Sequence, residues 1–210
     1  MNKIFYLIGK SSTGKDTLLE MLLKDRELKL KKIIQYTTRP IRGGEEEGRE
    51  YHFIDDAEAE RMKKAGLIVE MRAYNTVHGI WKYMLADDGQ FAEPADRIAV
   101  GTIESYVKVR DYFGEDRVVP LYIHVETGER LSRALNRERE HANPKYAEMC
   151  RRFLSDEEDF SDEKLKQAGL MRDDGSYLNG FENDELQSCY ERIRSFIREK
   201  ETINHGSRTA

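Results

Sequence analysis

The chain has 210 residues, 36% of them charged and 39% apolar, with a net charge of -5 and a mean hydropathy of -0.76. No apolar run approaches the ~18 residues that span a bilayer, and the charge lacks the basic excess of a dedicated nucleic-acid binder, so neither a membrane nor a nucleic acid is an expected partner. Cys150 and Cys189 lie far apart without metal-ligand spacing, which fits two reduced thiols in a cytoplasmic protein.

The N-terminus is too short in apolar residues for a secretory signal. Residues 3–8, Lys-Ile-Phe-Tyr-Leu-Ile, read instead as a strand buried on both faces. A glycine loop follows, then Thr17–Lys24 with apolar residues at helical spacing, the opening of an α/β unit. Lys32–Thr38 reads as the next strand, and residues 39–49 as a loop broken by Pro40, Gly43, Gly44 and Gly48. Tyr51–Ile54 is strand-like and Ala57–Ala65 a charged helix. Leu67–Tyr74 reads as a strand paired with a turn or strand around His78–Tyr83. These short strands suggest a small mixed sheet inserted into a larger fold. Ile98–Val100 is a buried-strand candidate, Tyr106–Tyr112 a helix, and Val118–Val125 the last core strand. Glu129–His141 and Pro144–Leu154 read as arginine-rich helices. Residues 185–200 form an amphipathic helix with Leu186, Cys189, Tyr190, Ile193 and Ile197 on one face, and His205–Ala210 a disordered tail.

Chemistry enters at residues 9–17, Gly-Lys-Ser-Ser-Thr-Gly-Lys-Asp-Thr. Gly9 and Gly14 let the loop curl until successive backbone N–H groups face one anion, which a side chain there would obstruct. The following helix adds the positive end of its dipole, and Lys15 adds a full charge near the transferred phosphate. Gly9, Ser11, Ser12, Thr13, Gly14, Lys15, Asp16 and Thr17 are the expected ATP-binding set. The usual magnesium-binding Ser or Thr directly after the lysine is replaced by Asp16, with Thr17 one place later. These two are the candidate Mg2+ ligands.

Arg39 and Arg42, three residues apart, with Tyr51 beyond a glycine-rich turn, could clamp a second phosphate through forked hydrogen bonds. The same residues could equally form an exposed loop, salt-bridged to the glutamates of residues 45–47. In the first arginine-rich helix, Arg130, Arg133 and Arg137 share a face, and Arg151 and Arg152 come from the next. They read either as a cationic lid over a transferring phosphoryl group or as salt-bridged surface helices, for example Glu129 with Arg133. His124 and His141 read as structural residues.

The order of these parts resembles the guanylate kinase family along nearly the whole chain. A phosphate loop comes first, then Thr37-Thr-Arg-Pro-x-Arg-x-Gly-Glu and Gly-x-x-Tyr-x-Phe. Leu67-Ile-Val-Glu, His78-Gly79 in place of Tyr-Gly, the arginine helices and a late Glu-Asn-Asp-Glu-Leu at 182–186 complete it. The resemblance implies ATP-dependent phosphorylation of GMP to GDP, with Mg2+ accompanying ATP. It implies that Arg39, Arg42 and Tyr51 grip the acceptor phosphate, that Glu70 reads the guanine N1–H and N2–H, and that Arg137 and Arg152 join Lys15 and Arg39 in catalysis. Gln35 stands in place of a family serine, His78 of a tyrosine and Ile80 of a small hydroxyl residue. Glu104 is the nearest substitute for an absent Asp-x-Asp.

The expected architecture is one three-layer α/β P-loop kinase fold with a parallel central sheet. Its core is 1–34, 91–125 and 161–204, with an acceptor-binding module at 35–90 and a helical lid at 126–160. Two other readings stand beside GMP kinase: the same chemistry on a different phosphorylated acceptor, and a non-catalytic binding module, which Gly14 and Lys15 argue against. No motif specifies an oligomeric state.

Overall fold

Every residue of the N-terminal apolar run is buried in strand β1 (Ile4–Ile8). In a computed structural model of the protein, which describes residues 2–76 and 79–206, this strand is the centre of a five-stranded sheet. Alternation along the strand sends Ile4, Tyr6 and Ile8 into one hydrophobic cluster and Phe5 and Leu7 into another, so the sheet has a core on each face. Helix α1 (Lys15–Lys24) adds Leu18 and Leu22 to the second cluster. Helix α7 (Leu186–Gly206) closes the same cluster with Cys189, Ile193 and Ile197, spaced four apart. Leu186 is 36% exposed and lies outside that stripe. On the opposite face, Tyr106 and Val109 of α3 (Ile103–Phe113) and Leu165 of α6 (Asp162–Gln167) fill the first cluster.

The main sheet runs β2 (Lys31–Lys32), β7 (Arg97–Gly101), β1, β8 (Val118–His124), β9 (Gly180–Glu182), all parallel. A second sheet runs β4 (Tyr51–Phe53), β3 (Gln35–Thr37), β6 (Gly79–Ala86), β5 (Ile68–Thr76), parallel only between β3 and β4. Parallel core and small mixed sheet both match the expected α/β architecture. Helix α2 (Asp56–Lys64) follows β4, its N-terminus capped by Asp55, which accepts from the Glu58 N–H at 2.7 Å. Helices α4 (Thr127–Arg139) and α5 (Tyr146–Asp159) carry the arginines, and α5 buries no residue completely.

Several expectations need correction. The strand expected over Lys32–Thr38 is two strands in different sheets. Between them Ile33 N–H still bonds the main sheet at Ile98 O, while the Gln90 side chain accepts from Ile34 N–H at 3.2 Å and ends the ladder. Val118–Val125 is not the last core strand, because three residues at β9 pair with β8. So short a strand, like the single-turn-plus helix α6, leaves no periodicity to read. Helix α7 continues through His205, where a tail was expected. Residues 207–210 lie outside the described residues, as does His78.

Candidate active site

The loop joining β1 to α1 is curled tightly. A Cβ on Gly9 would come within 2.5 Å of the Ile123 carbonyl oxygen, and one on Gly14 within 2.5 Å of Asn183 Nδ2. Gly14 has φ +82, and Ser12 also adopts the left-handed region at φ +64, a conformation uncommon outside glycine. The Thr13 hydroxyl donates to Lys10 O at 2.9 Å across the curl. Asn183 Nδ2 donates to Thr13 O at 2.8 Å from behind. The Asn183 Oδ1 is buried and has no partner among the described residues.

Lys15 opens α1 and donates to Lys10 O at 3.2 Å. Burial holds its ammonium pKa below the ordinary lysine value, against the opposing pull of Asp16 and Asp156. The Asp16 and Thr17 side chains are exposed on the first turn of α1 and make no hydrogen bond among the described residues. As oxygen donors beside the phosphate loop they suit Mg2+, which keeps several waters and needs few protein ligands. Asp16 fits better. It faces the site closely enough to act on Lys15 and Tyr51, whereas Thr17 is turned roughly 100° further round the helix. Among the described residues no three His, Cys, Asp or Glu side chains form a metal cage.

Helices α4 and α5 meet the loop through charge. Arg130, 1% exposed, donates from Nη1 to Ser11 O at 3.4 Å and to Asp156 Oδ2 at 3.3 Å, and from Nη2 to Glu157. Its guanidinium lies 3.7 Å from the centre of the Phe153 ring. Asp156 also accepts from the Ser11 N–H at 2.8 Å, and Glu157 from Lys10 Nζ at 2.7 Å. Two carboxylates of α5 thus sit against the phosphate loop. Arg137 Nη2 donates to Ser12 Oγ at 3.2 Å. Arg133 pairs instead with Glu129 at 2.8 Å, as its spacing allowed, and Arg152 with Glu148 at 2.9 Å. Ser11, Ser12, Arg42, Arg137 and Arg152 line one cavity of about 710 Å³.

In the loop after β3, Arg39 is 3% exposed and makes a two-pronged pair with Glu45, Nη1 to Oε2 at 2.7 Å and Nη2 to Oε1 at 2.8 Å. This pair drives the Glu45 carboxyl down to about 2. The Arg39 guanidinium carbon also lies 5.3 and 5.5 Å from the ring centres of Tyr51 and Phe53, which pack against each other. Arg42 reaches over Trp81. Burial raises the Tyr51 hydroxyl pKa, and Arg39 and Arg72 are near enough to oppose that. Gln35 is buried and donates to Val100 O at 3.1 Å, which ties the second sheet to the main one.

Glu70 is buried completely, in a strand whose register shifts between Ile68 and Glu70. Its carboxylate accepts from Arg72 Nε and Nη2, each at 3.1 Å, and from Ser105 Oγ at 2.8 Å. Ser105 bonds the Tyr6 hydroxyl at 2.6 Å. Glu104, by contrast, is 63% exposed and paired with Lys108 at 2.6 Å, apart from this network.

Sequence reasoning overlooked Arg72, Ser105, Lys10, Asp156 and Glu157. Glu70-x-Arg72 was a legible signal, because residues two apart on a strand point the same way. The α5 carboxylates carried no such signal, since their contact with residues 10 and 11 spans the whole chain.

A family model described as guanylate kinase matches residues 1–80. A guanylate kinase of Porphyromonas gingivalis is 28% identical over 203 residues, 94% of this chain and 97% of the relative. One from Bordetella pertussis is 36% identical over 99 residues, 47% of this chain and 40% of the relative. The crystal structure of guanylate kinase from Anaplasma phagocytophilum superposes with a TM-score of 0.60 at 21% identity, covering 95% of this chain and 86% of that one, and shares the fold. The chain is thus similar to guanylate kinases over nearly its whole length.

Proposed function

We propose that the protein transfers the γ-phosphoryl group of ATP to GMP, forming ADP and GDP. The observation that carries this reading is the shared cavity, where Ser11 and Ser12 of the phosphate loop meet Arg42 of the acceptor loop and Arg137 and Arg152 of the lid. Residues 35–90 serve as the acceptor module, residues 126–160 as the lid, and the remainder as the core.

In this reading the donor phosphates rest on the loop N–H groups and the N-terminus of α1, with Lys15 beside the migrating group. Arg39, Arg42 and Tyr51 hold the acceptor phosphate, one oxygen of which attacks in line. That oxygen is already anionic, so no general base is required. Arg137 and Arg152 neutralise charge on the equatorial oxygens, and closure of the lid excludes water. Two carboxylates must give way as the phosphates arrive: Asp156 from the Ser11 N–H, and Glu45 from the Arg39 fork. Each exchange swaps one anion for another, so neither the Ser11 N–H nor the Arg39 guanidinium is left without an acceptor. Asp16 would hold the Mg2+ that accompanies ATP, and the ion would supply charge that neutralises the phosphates. The free thiols Cys150 and Cys189 accord with a reducing, cytoplasmic setting.

Lys15→Ala tests the proposal directly. Loss of one preorganised cation lowers kcat by about 10²–10³-fold, read in a coupled assay of ADP release. Unchanged turnover removes the loop from the chemistry and the proposal with it.

A further inference from the structure

Reading guanine through Glu70 requires its carboxylate to accept from N1–H and N2–H together. Two carboxylate oxygens offer about four acceptor sites. Arg72 takes two of them and Ser105 a third, with the Glu70 side chain wholly buried. One site remains for a substrate. Ser105 is itself 0% exposed and anchored by Tyr6, so it does not move aside.

Arg72 is placed differently. Of its five N–H groups, Nε–H and one on Nη2 go to Glu70, and one on Nη1 reaches Thr102 Oγ1 at 3.4 Å. That leaves two donors without a partner among the described residues. Thr102 cannot drift, because its Oγ1 also accepts from the Ser105 N–H at the start of α3. The Arg72 side chain is 11% exposed, and its neighbours Thr102 and Tyr74 line a cavity of about 630 Å³ between β5, α3, α5 and α6. Glu70 and Thr102 therefore hold a planar donor edge rigidly between β5 and α3, beside that cavity. Such an edge matches the O6 acceptor of a 6-oxopurine and is mismatched to the 6-amino group of adenine.

Resting on the GMP kinase reading above, we propose that Arg72 is the specificity-determining residue of the acceptor pocket. With Glu70 as its holder, it selects 6-oxopurine monophosphates through O6 and relaxes the demand for the 2-amino group. Inosine monophosphate, which has O6 but no 2-amino group, is then a substrate comparable to GMP, and AMP is not.

The test compares kcat/KM for GMP, IMP and AMP in the wild type, Arg72→Ala and Arg72→Lys, with ATP as donor. The wild type is expected to use GMP and IMP within about tenfold of each other, because a site built to bond an N–H penalises its loss far more heavily. Both variants free Glu70 for N1–H and N2–H, so the GMP:IMP ratio rises by about tenfold or more. Arg72→Ala leaves a buried carboxylate unpaired and can unfold the protein. Arg72→Lys keeps the charge while removing the fork, and thermal melts show which variants are folded. A purely structural role for Arg72 lowers both substrates together, and a ratio that fails to rise in the folded variant overturns the inference. Absence of any wild-type turnover of GMP refutes the kinase reading itself. Turnover of GMP with an unmoved ratio refutes only the role of Arg72.

Discussion

The Ser11 N–H donates to Asp156 Oδ2 at 2.8 Å, across 145 residues of chain. The curled loop between β1 and α1, proposed above to receive phosphate oxygens, is thus met by a carboxylate oxygen from helix α5. Arg130 and Lys10 brace the contact through Asp156 and Glu157.

Asp156→Asn is expected to tighten ATP binding. It keeps the shape and an acceptor oxygen for the Ser11 N–H but removes a negative charge from the phosphate site. Relief of that repulsion is worth ~1 kcal/mol near a protein surface, roughly fivefold in affinity. Arg130 retains Glu157, so its charge is not orphaned. Calorimetric titration with ATP measures the change. Weaker binding in the variant contradicts it.

ATP affinity should also fall from neutral to alkaline pH. Burial depresses the Lys15 pKa in the free protein, and a bound phosphate favours its charged form. Binding is therefore coupled to proton uptake once pH exceeds the free-protein value, and affinity declines from there. A Lys15→Arg variant, which stays protonated, is expected to show a flatter profile over the same range. Parallel profiles would mean that Lys15 does not titrate with binding.

Arg137 and Arg133 lie one helical turn apart and should behave differently. Arg137 touches Ser12 of the phosphate loop, whereas Arg133 is held by Glu129 and the Asp184 carbonyl. Arg137→Ala should lower kcat by about 10²-fold. Arg133→Ala should leave kcat nearly unchanged and cost at most ~1 kcal/mol of stability. Equal losses of kcat would show that the cationic face acts as a whole.

Acid should weaken the fold in a defined window. The Arg39 fork takes Glu45 from 4.5 to about 2. Burial raises Asp25, yet hydrogen bonds from Tyr190, Arg194 and two backbone N–H groups outweigh it and take it from 3.8 to about 2. Both folded-state values are depressed. Their contributions are complete above the unfolded values near 4 and are lost as pH falls towards 2. In Arg39→Ala most of the Glu45 share should be lost, the Arg42 N–H and charge keeping the rest, giving a shallower acid dependence of the urea midpoint. An unaltered slope would contradict this assignment.

What the sequence disclosed follows from the range of the interactions involved. Ile4–Ile8, the Gly9–Lys15 curl and the face of Cys189, Ile193 and Ile197 are local patterns, each legible within a dozen residues. The division of Lys32–Thr38 between two sheets depends on Gln90, far along the chain, and β9 is too short to show alternation. The arginines displayed the same contrast. Their positions were evident, and spacing offered Glu129 to Arg133 and the nearby glutamates to Arg39, but the pairing of Arg130 with two carboxylates of α5 is an outcome of folding. Spacing left both a phosphate clamp and a salt bridge open for Arg39, and the salt bridge is the one formed in this structure.

The central claim is phosphoryl transfer from ATP to GMP, and quantifying both products of one reaction tests it most directly. With Mg2+, ATP and GMP present, chromatography of the nucleotides should show ADP and GDP rising together in a ratio of about one to one. ADP formed without GDP, or neither nucleotide formed, contradicts the account.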